Sequence, residues 1–274
     1  MSELVVRRLL VDLSTEFPRR WAGDAFRSAL FNALSMSFPL GEQFFIDALR
    51  AGMKELPEDQ RERFEEEVQL FIGQEATHRR VHALFNGQLD KQGYTNAWEA
   101  RIAWRQELMG ELKPRHLTAI TAATEHFTAI LAEWMLANPE VLADAEPRLR
   151  TMWMWHAAEE SEHRSVAFDV YRALGGNEEW RLRWFRRVTF TFLTDVMRQT
   201  VRNLWHDGSL FQGATWRSAW THLFSRKGLV RGTYKPWRAY FRADFHPAQQ
   251  DGSLSRAWLA THMADYTEVR AAGR

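Results

Sequence analysis

Period-2 alternation of apolar and polar residues never persists along this chain, and its 15 Gly and 8 Pro fall between candidate helical segments. A half-buried sheet needs that alternation and a helical bundle does not, so the fold class is all-α. A first helix is expected over residues 24–51, closed near Gly52. A second opens at Leu56-Pro57-Glu58-Asp59, where a first-turn proline and acidic residues suit the positive end of the helix dipole, and it closes at Gly93. After a short helix over 97–111, Pro114 opens a third long helix to residue 137. The Asn138-Pro139 break and Pro147 precede a fourth, to residue 173, ended by Gly175-Gly176. Four long helices with one longer link between the second and third describe a four-helix bundle with a crossover connection. Residues 1–175 are expected to form this bundle, and residues 176–274 a basic, aromatic-rich helical extension packed on it.

Composition narrows the chemistry. The 274 residues can bury roughly three quarters of their unfolded surface. The absence of cysteine excludes disulfides, Cys-based zinc ribbons, iron–sulfur clusters and Cys nucleophiles. The first 17 residues interrupt every apolar run with charge, and nowhere do 18 apolar residues run together, so a soluble, cytoplasmic protein is expected. The net charge of +1 is a cancellation: 20 basic against 27 acidic residues precede Gly175-Gly176, and 16 against 8 follow.

Phosphate-binding loops, dinucleotide fingerprints, serine-esterase elbows and H-E-x-x-H are all absent from the sequence. Glu-x-x-His occurs twice, as Glu75-Ala-Thr-His78 and Glu160-Ser-Glu-His163. Residues three apart share a helix face, so each pair can grip one metal ion. Chance alone supplies about 0.8 such pairs in a chain of this composition, so context decides. Phe71, Glu75, His78 and His82 lie on one stripe, and His156, Glu160, His163 and Ala167 on another, among Trp, Ala, Val and Phe. Carboxylates in an apolar stripe need a cationic partner. The triplet His156-x-x-x-Glu160-x-x-His163 is expected only about 0.03 times by chance. A lone Glu precedes each pair: Glu42 lies 33 residues before Glu75, and Glu125 lies 35 before Glu160. Two halves thus repeat one scheme, in which Glu42, Glu75, His78, Glu125, His156, Glu160 and His163 hold two metal ions in the bundle core. Four carboxylates with two or three imidazoles suit iron, with manganese also fitting, better than structural zinc.

The order Glu, Glu-x-x-His, Glu, Glu-x-x-His resembles the ferritin-like di-iron carboxylate superfamily. The extra His156 one turn before Glu160 resembles the aryl-amine N-oxygenases within it. Over nearly the whole chain, Phe31-Asn32-Ala33-Leu34-Ser35, Phe71-Ile72-Gly73-Gln74-Glu75-Ala76, Trp155-His156-Ala157-Ala158-Glu159-Glu160 and Asp244-Phe245-His246-Pro247 are similar to a bacterial family described as metal-dependent hydrolases. That resemblance implies a metal.

Neighbouring polar residues are expected in plainer roles: His82 as a core-edge histidine, His126 on the helix surface, and Glu159 and Glu162 solvated or paired with Arg164. Thr121 and Thr128 flank Glu125 and offer hydroxyls to a cavity. Residues 178–242 carry 13 basic and 4 acidic residues with 14 aromatics. No nucleic-acid motif accompanies them and the acidic half opposes a phosphate backbone, so nucleic acid is excluded as a partner. A layer docked on the acidic bundle, or peripheral contact with an anionic lipid surface or acyl substrate, remains. The first functional reading is an oxygenase or oxidoreductase: two iron ions, Glu42, Glu75, Glu125 and Glu160 catalytic, a small-molecule or acyl substrate, and an external electron donor, since no flavin or nicotinamide motif is present. The second is a metal-dependent hydrolase working through a metal-bridged water. The third is a non-catalytic metal-binding protein. A homodimer is compatible with each.

Overall fold

The computed structural model describes residues 4–269. A short strand, β1 (Arg7–Leu9), leads into α1 (Ala25–Glu55), α2 (Glu58–Lys91), α3 (Ala97–Met109), α4 (Pro114–Ala137), α5 (Pro147–His163) and α6 (Val166–Ala173). The chain continues through α7 (Glu178–His206), α8 (Gly213–Phe224), α9 (Leu229–Ala239) and α10 (Ser253–Thr261) to a last strand, β2 (Tyr266–Glu268).

Local chemistry sets these boundaries. The Asp24 side chain accepts from the Arg27 N–H at 2.9 Å, Asn96 from Glu99 at 3.0 Å and Asn177 from Trp180 at 3.0 Å, satisfying first-turn amides of α1, α3 and α7. Pro114 and Pro147 open α4 and α5. Gly93 and Gly175, at φ +86° and +73°, turn the chain out of α2 and α6 through the left-handed region that glycine enters without steric cost.

The all-α helical bundle expected from the sequence is present. α1 packs on α2 and α4, the α5–α6 pair completes the bundle against α4 and α2, and α3 lies in the crossover between α2 and α4. α7 runs along α1, α3 and α4, while α8 packs on α1, α9 on α4, and α10 on α5 and α4. β1 and β2 pair antiparallel, Arg7 opposite Glu268 and Leu9 opposite Tyr266, which ties the two ends of the described chain together. None of the described helices is long and apolar enough to cross a membrane.

Three features depart from expectation. The fourth helix is interrupted at Arg164-Ser165, where the buried Arg164 guanidinium is drawn to Glu133 of α4 and the Gln250 carbonyl. Three-residue strands form a small sheet, too short to register as a pattern. Some Gly and Pro do lie inside helices, Pro39 in α1 among them. A helical proline cannot donate to the carbonyl four residues back. Here that carbonyl, Ser35 O, accepts from the Asn86 side chain of α2 at 3.0 Å, so the loss is made good by the neighbouring helix.

Two apolar clusters make up the core. One gathers Trp21, Phe31, Phe85 and Trp153; the other gathers Phe45, Phe71, Phe127 and Phe168 with Phe185 and Tyr240 from the C-terminal region. Buried polar residues of α1, α2, α4 and α5 lie at the junction of the two, against Phe38 of the first and Phe71 of the second.

Candidate metal centre

The junction holds all seven residues singled out from the sequence. Glu42 on α1, Glu75 and His78 on α2, Glu125 on α4, and His156, Glu160 and His163 on α5 are each at most 3% exposed. Ligand atoms of Glu75, His78, Glu160 and His163 all lie within 4.8 Å of one another, as do those of Glu42, His78 and His156. Glu160 Oε1 is central, 3.1 Å from His156 Nε2, 3.5 Å from His78 Nδ1 and 3.7 Å from His163 Nε2. Glu125 Oε2 sits 2.8 Å from His163 Nδ1.

What these groups lack is equally informative. Both carboxylate oxygens of Glu42 and of Glu75, one each of Glu125 and Glu160, and a ring nitrogen of each of His78, His156 and His163 have no hydrogen-bond partner. Buried polar atoms are nearly always paired, and this many converging orphans could be satisfied together by a bound cation. Burial, and after it the neighbouring carboxylates, push Glu75 well above the usual carboxylate range; burial likewise raises Glu42, with His78 pulling the other way. Burial lifts Glu125 to about 7 against the pull of His163. For Glu160 burial also opposes ionisation, but His163, His156 and His78 outweigh it and hold it well below the usual range. Burial disfavours the His78 cation too, yet Glu159 and Glu160 overcome it and raise His78 to about 10. His156 is lowered to about 4, chiefly by burial, so its ring is neutral and its unpartnered Nε2 is free to serve as a donor. Metal ligation requires the imidazoles to be neutral; with their protons shed, four carboxylates match the charge of two divalent ions, and the donor set fits them.

Behind the cage stand residues that sequence reasoning placed elsewhere. Glu159 is fully buried: its Oε2 lies 2.9 Å from His78 Nε2, and its Oε1 accepts from Arg7 Nη1 of β1 at 3.2 Å. Glu162 also pairs with Arg7, at 2.7 Å, and accepts from Gln74 at 2.8 Å, while Arg164 turns to Glu133. The expectation that Glu159 and Glu162 are solvated or bound to Arg164 is therefore corrected. The reason is that β1, about 150 residues away in sequence, covers that face of α5. His82 is not at the core edge either. It is completely buried, with Nε2 2.9 Å from His156 Nδ1 and Nδ1 2.8 Å from Ser35 Oγ, so it orients His156. His126, expected on the surface, is 1% exposed because α9 and the segment after it cover its side of α4; its Nε2 meets the Pro236 carbonyl at 3.1 Å. Thr121 gives its hydroxyl to the Leu117 carbonyl, whereas Thr128 lines a cavity while bonded to the Glu125 carbonyl. The doubled acid Glu159-Glu160 was the available signal for a second buried carboxylate on α5.

No curated protein and no solved structure matches the chain. A family model described as predicted metal-dependent hydrolase matches residues 5–251, and the chain belongs to that family.

Proposed function

We propose that this protein is a metal-dependent hydrolase that holds two divalent ions, iron or manganese, between α1, α2, α4 and α5 and cleaves a carboxylic ester or amide of an apolar substrate. The observation that carries this reading is the convergence of unpartnered carboxylate oxygens and imidazole nitrogens at one buried point. The family description favours hydrolysis over the oxygen-activating chemistry that stands first from sequence alone. The order of the ligands and the crossover bundle support a place for this chain among the ferritin-like carboxylate-bridged proteins.

Glu75, His78, Glu160 and His163 would hold one ion, and Glu42 and His156 would reach the other, with Glu125 beside His163. Bound there, the ions would polarise a substrate carbonyl and acidify an attacking water, or on a second reading exchange electrons with dioxygen. Glu42 is the carboxylate shared between this cluster and the large apolar cavity next to it, so a substrate held in that cavity would meet the cluster at Glu42. His82 and Ser35 keep His156 facing the cluster, and Glu159 with Arg7 does the same for His78. One observation favours the second reading: a small apolar void of about 40 Å³ abuts His156 and Glu160, a size suited to a diatomic gas.

Oxygen dependence separates the two. Protein loaded with manganese, iron or zinc, its content fixed by elemental analysis, is expected to release nitrophenol from acyl nitrophenyl esters at the same rate with and without oxygen. A reaction that runs only with oxygen and an added reductant would replace the hydrolase by the oxygenase. Glu160→Ala is expected to lose both metals together, and retention of both would remove the proposed ligand set.

A further inference from the structure

A cavity of about 680 Å³ lies between α1, α3, α4 and α7. Its inner end is formed by the buried Glu42 and Thr128, and its outer end opens among Trp104, Leu108 and Phe190, which are 58%, 64% and 69% exposed. The lining runs from Trp98 to Met109 along α3 and from Trp184 to Asp195 along α7. At 1.5 Å per residue each stretch is about 16 Å long, room for an extended chain of about a dozen carbons.

Most polar groups of the walls are already engaged, and the exposed Arg187 lies over the Trp184 ring. Thr124, Thr128 and Thr191 give their hydroxyls to helix carbonyls at 2.9, 3.0 and 3.0 Å, and Gln106 gives its amide to Leu40 O at 3.1 Å. Arg105 and Asp195 neutralise each other. Unpartnered oxygens remain at the inner end, on Glu42, where the cavity meets the metal cluster. A ligand that matches this distribution is apolar along its length and polar at its inner end.

We infer that the cavity binds the unbranched aliphatic chain of an acyl ester, with the ester carbonyl at Glu42 and the methyl end among Trp104, Leu108 and Phe190. The position of the carbonyl rests on the hydrolase reading; the chain-binding chamber does not. Gly41 gives a direct handle, because a Cβ added there meets no atom within 4 Å and a larger side chain grows into the cavity.

Calorimetric titration of the full-length protein with 1-octanol, 1-decanol and 1-dodecanol tests the chamber. Each methylene across this series is expected to tighten binding by about three- to fourfold, from the transfer free energy of a buried CH₂. Gly41→Phe is expected to weaken dodecanol binding at least about tenfold while metal content and thermal midpoint are retained. Equal affinity across the series, or a Gly41→Phe variant that binds dodecanol like the parent, overturns the inference. Orientation is read separately in cobalt-loaded protein: dodecanoate is expected to change the visible cobalt spectrum and dodecanol not. Dodecanoate binding that leaves the spectrum untouched overturns the inward carbonyl. If ester cleavage fails while the alcohol series holds, the hydrolase reading falls and the chain-binding site stands.

Discussion

Glu159 Oε2 lies 2.9 Å from His78 Nε2, with neither side chain exposed to solvent. When Nε2–H donates to that carboxylate, Nδ1 is left facing Glu160 Oε1, 3.5 Å away, as a metal donor. Arg7 neutralises Glu159 from the far side. A carboxylate that fixes a histidine's tautomer and ring plane sets its strength as a ligand. Glu159→Ala is therefore expected to weaken metal binding by about 10–100-fold, measured by competition with a chromogenic chelator. Glu159→Gln keeps an acceptor but not the charge, and should fall between the variant and the parent. An unchanged affinity in Glu159→Ala would make the contact incidental.

Arg7 reaches Glu159 because β1 passes very close to α2. A Cβ placed on Gly73 would stand 2.5 Å from Val6 Cγ2, closer than real contacts allow. Gly73→Ala should favour the isolated helix by roughly 0.5–1 kcal/mol, yet push Val6 outward and carry Arg7 with it. The expected outcome is weaker metal binding together with unaltered helical content by circular dichroism. Arg7→Ala should do more, costing about 3–5 kcal/mol of stability, since it leaves Glu159 buried without its cation. Chemical denaturation of both variants, with and without metal, checks the order.

Protons and metal compete for the same atoms. In the cation-free cluster burial holds Glu125 at about 7, and Glu159 with Glu160 holds His78 at about 10 against burial. Both folded values are raised, so their contribution to stability is full below the unfolded values and is lost as pH rises, through about 7 for Glu125 and about 10 for His78. Metal-free protein should accordingly lose stability between pH 6 and 8, while metal affinity rises over the same interval as ligands shed protons. Metal titrations in buffers of different ionisation enthalpy would count the protons released. Affinity independent of pH would mean that neither group is a ligand.

The site's skeleton was legible because its logic is local. Glu75 with His78 and Glu160 with His163 share helix faces by spacing alone, and the apolar residues around them predict burial. The bundle was legible for the same reason, from capping residues and from the proline and glycine breaks at helix ends. What stayed hidden depends on long-range packing. Glu159 projects about 100° from Glu160, a direction that reads as solvent until β1 is laid across it. His82 and His126 carry no sequence mark that says which helix will cover them. Pro39 is the same case in miniature: a chain read alone gives no sign that Asn86, 51 residues from Ser35, will take the carbonyl that a helical proline leaves free.

His126 allows the packing of the C-terminal layer to be tested without touching the metal cluster. Its ring lies 4.8 Å from Tyr240 and 5.1 Å from Phe245, its Nε2–H donates to Pro236 O of α9, and burial lowers it to about 3. The unfolded chain takes up that proton near 6.5 and the folded protein does not until about 3, so stability falls as pH drops through this window. His222 of α8, lowered to about 4 by burial, acts in the same direction. His126→Phe keeps an aromatic ring among Phe185, Tyr240 and Phe245 but leaves the Pro236 carbonyl without its donor. At pH 8 the variant should be about 1–3 kcal/mol less stable than the parent. Below pH 6.5 its stability should fall less steeply, so that the two curves converge toward pH 4. Urea denaturation at half-unit pH steps gives both curves, and parallel curves would show that His126 takes up no proton on unfolding.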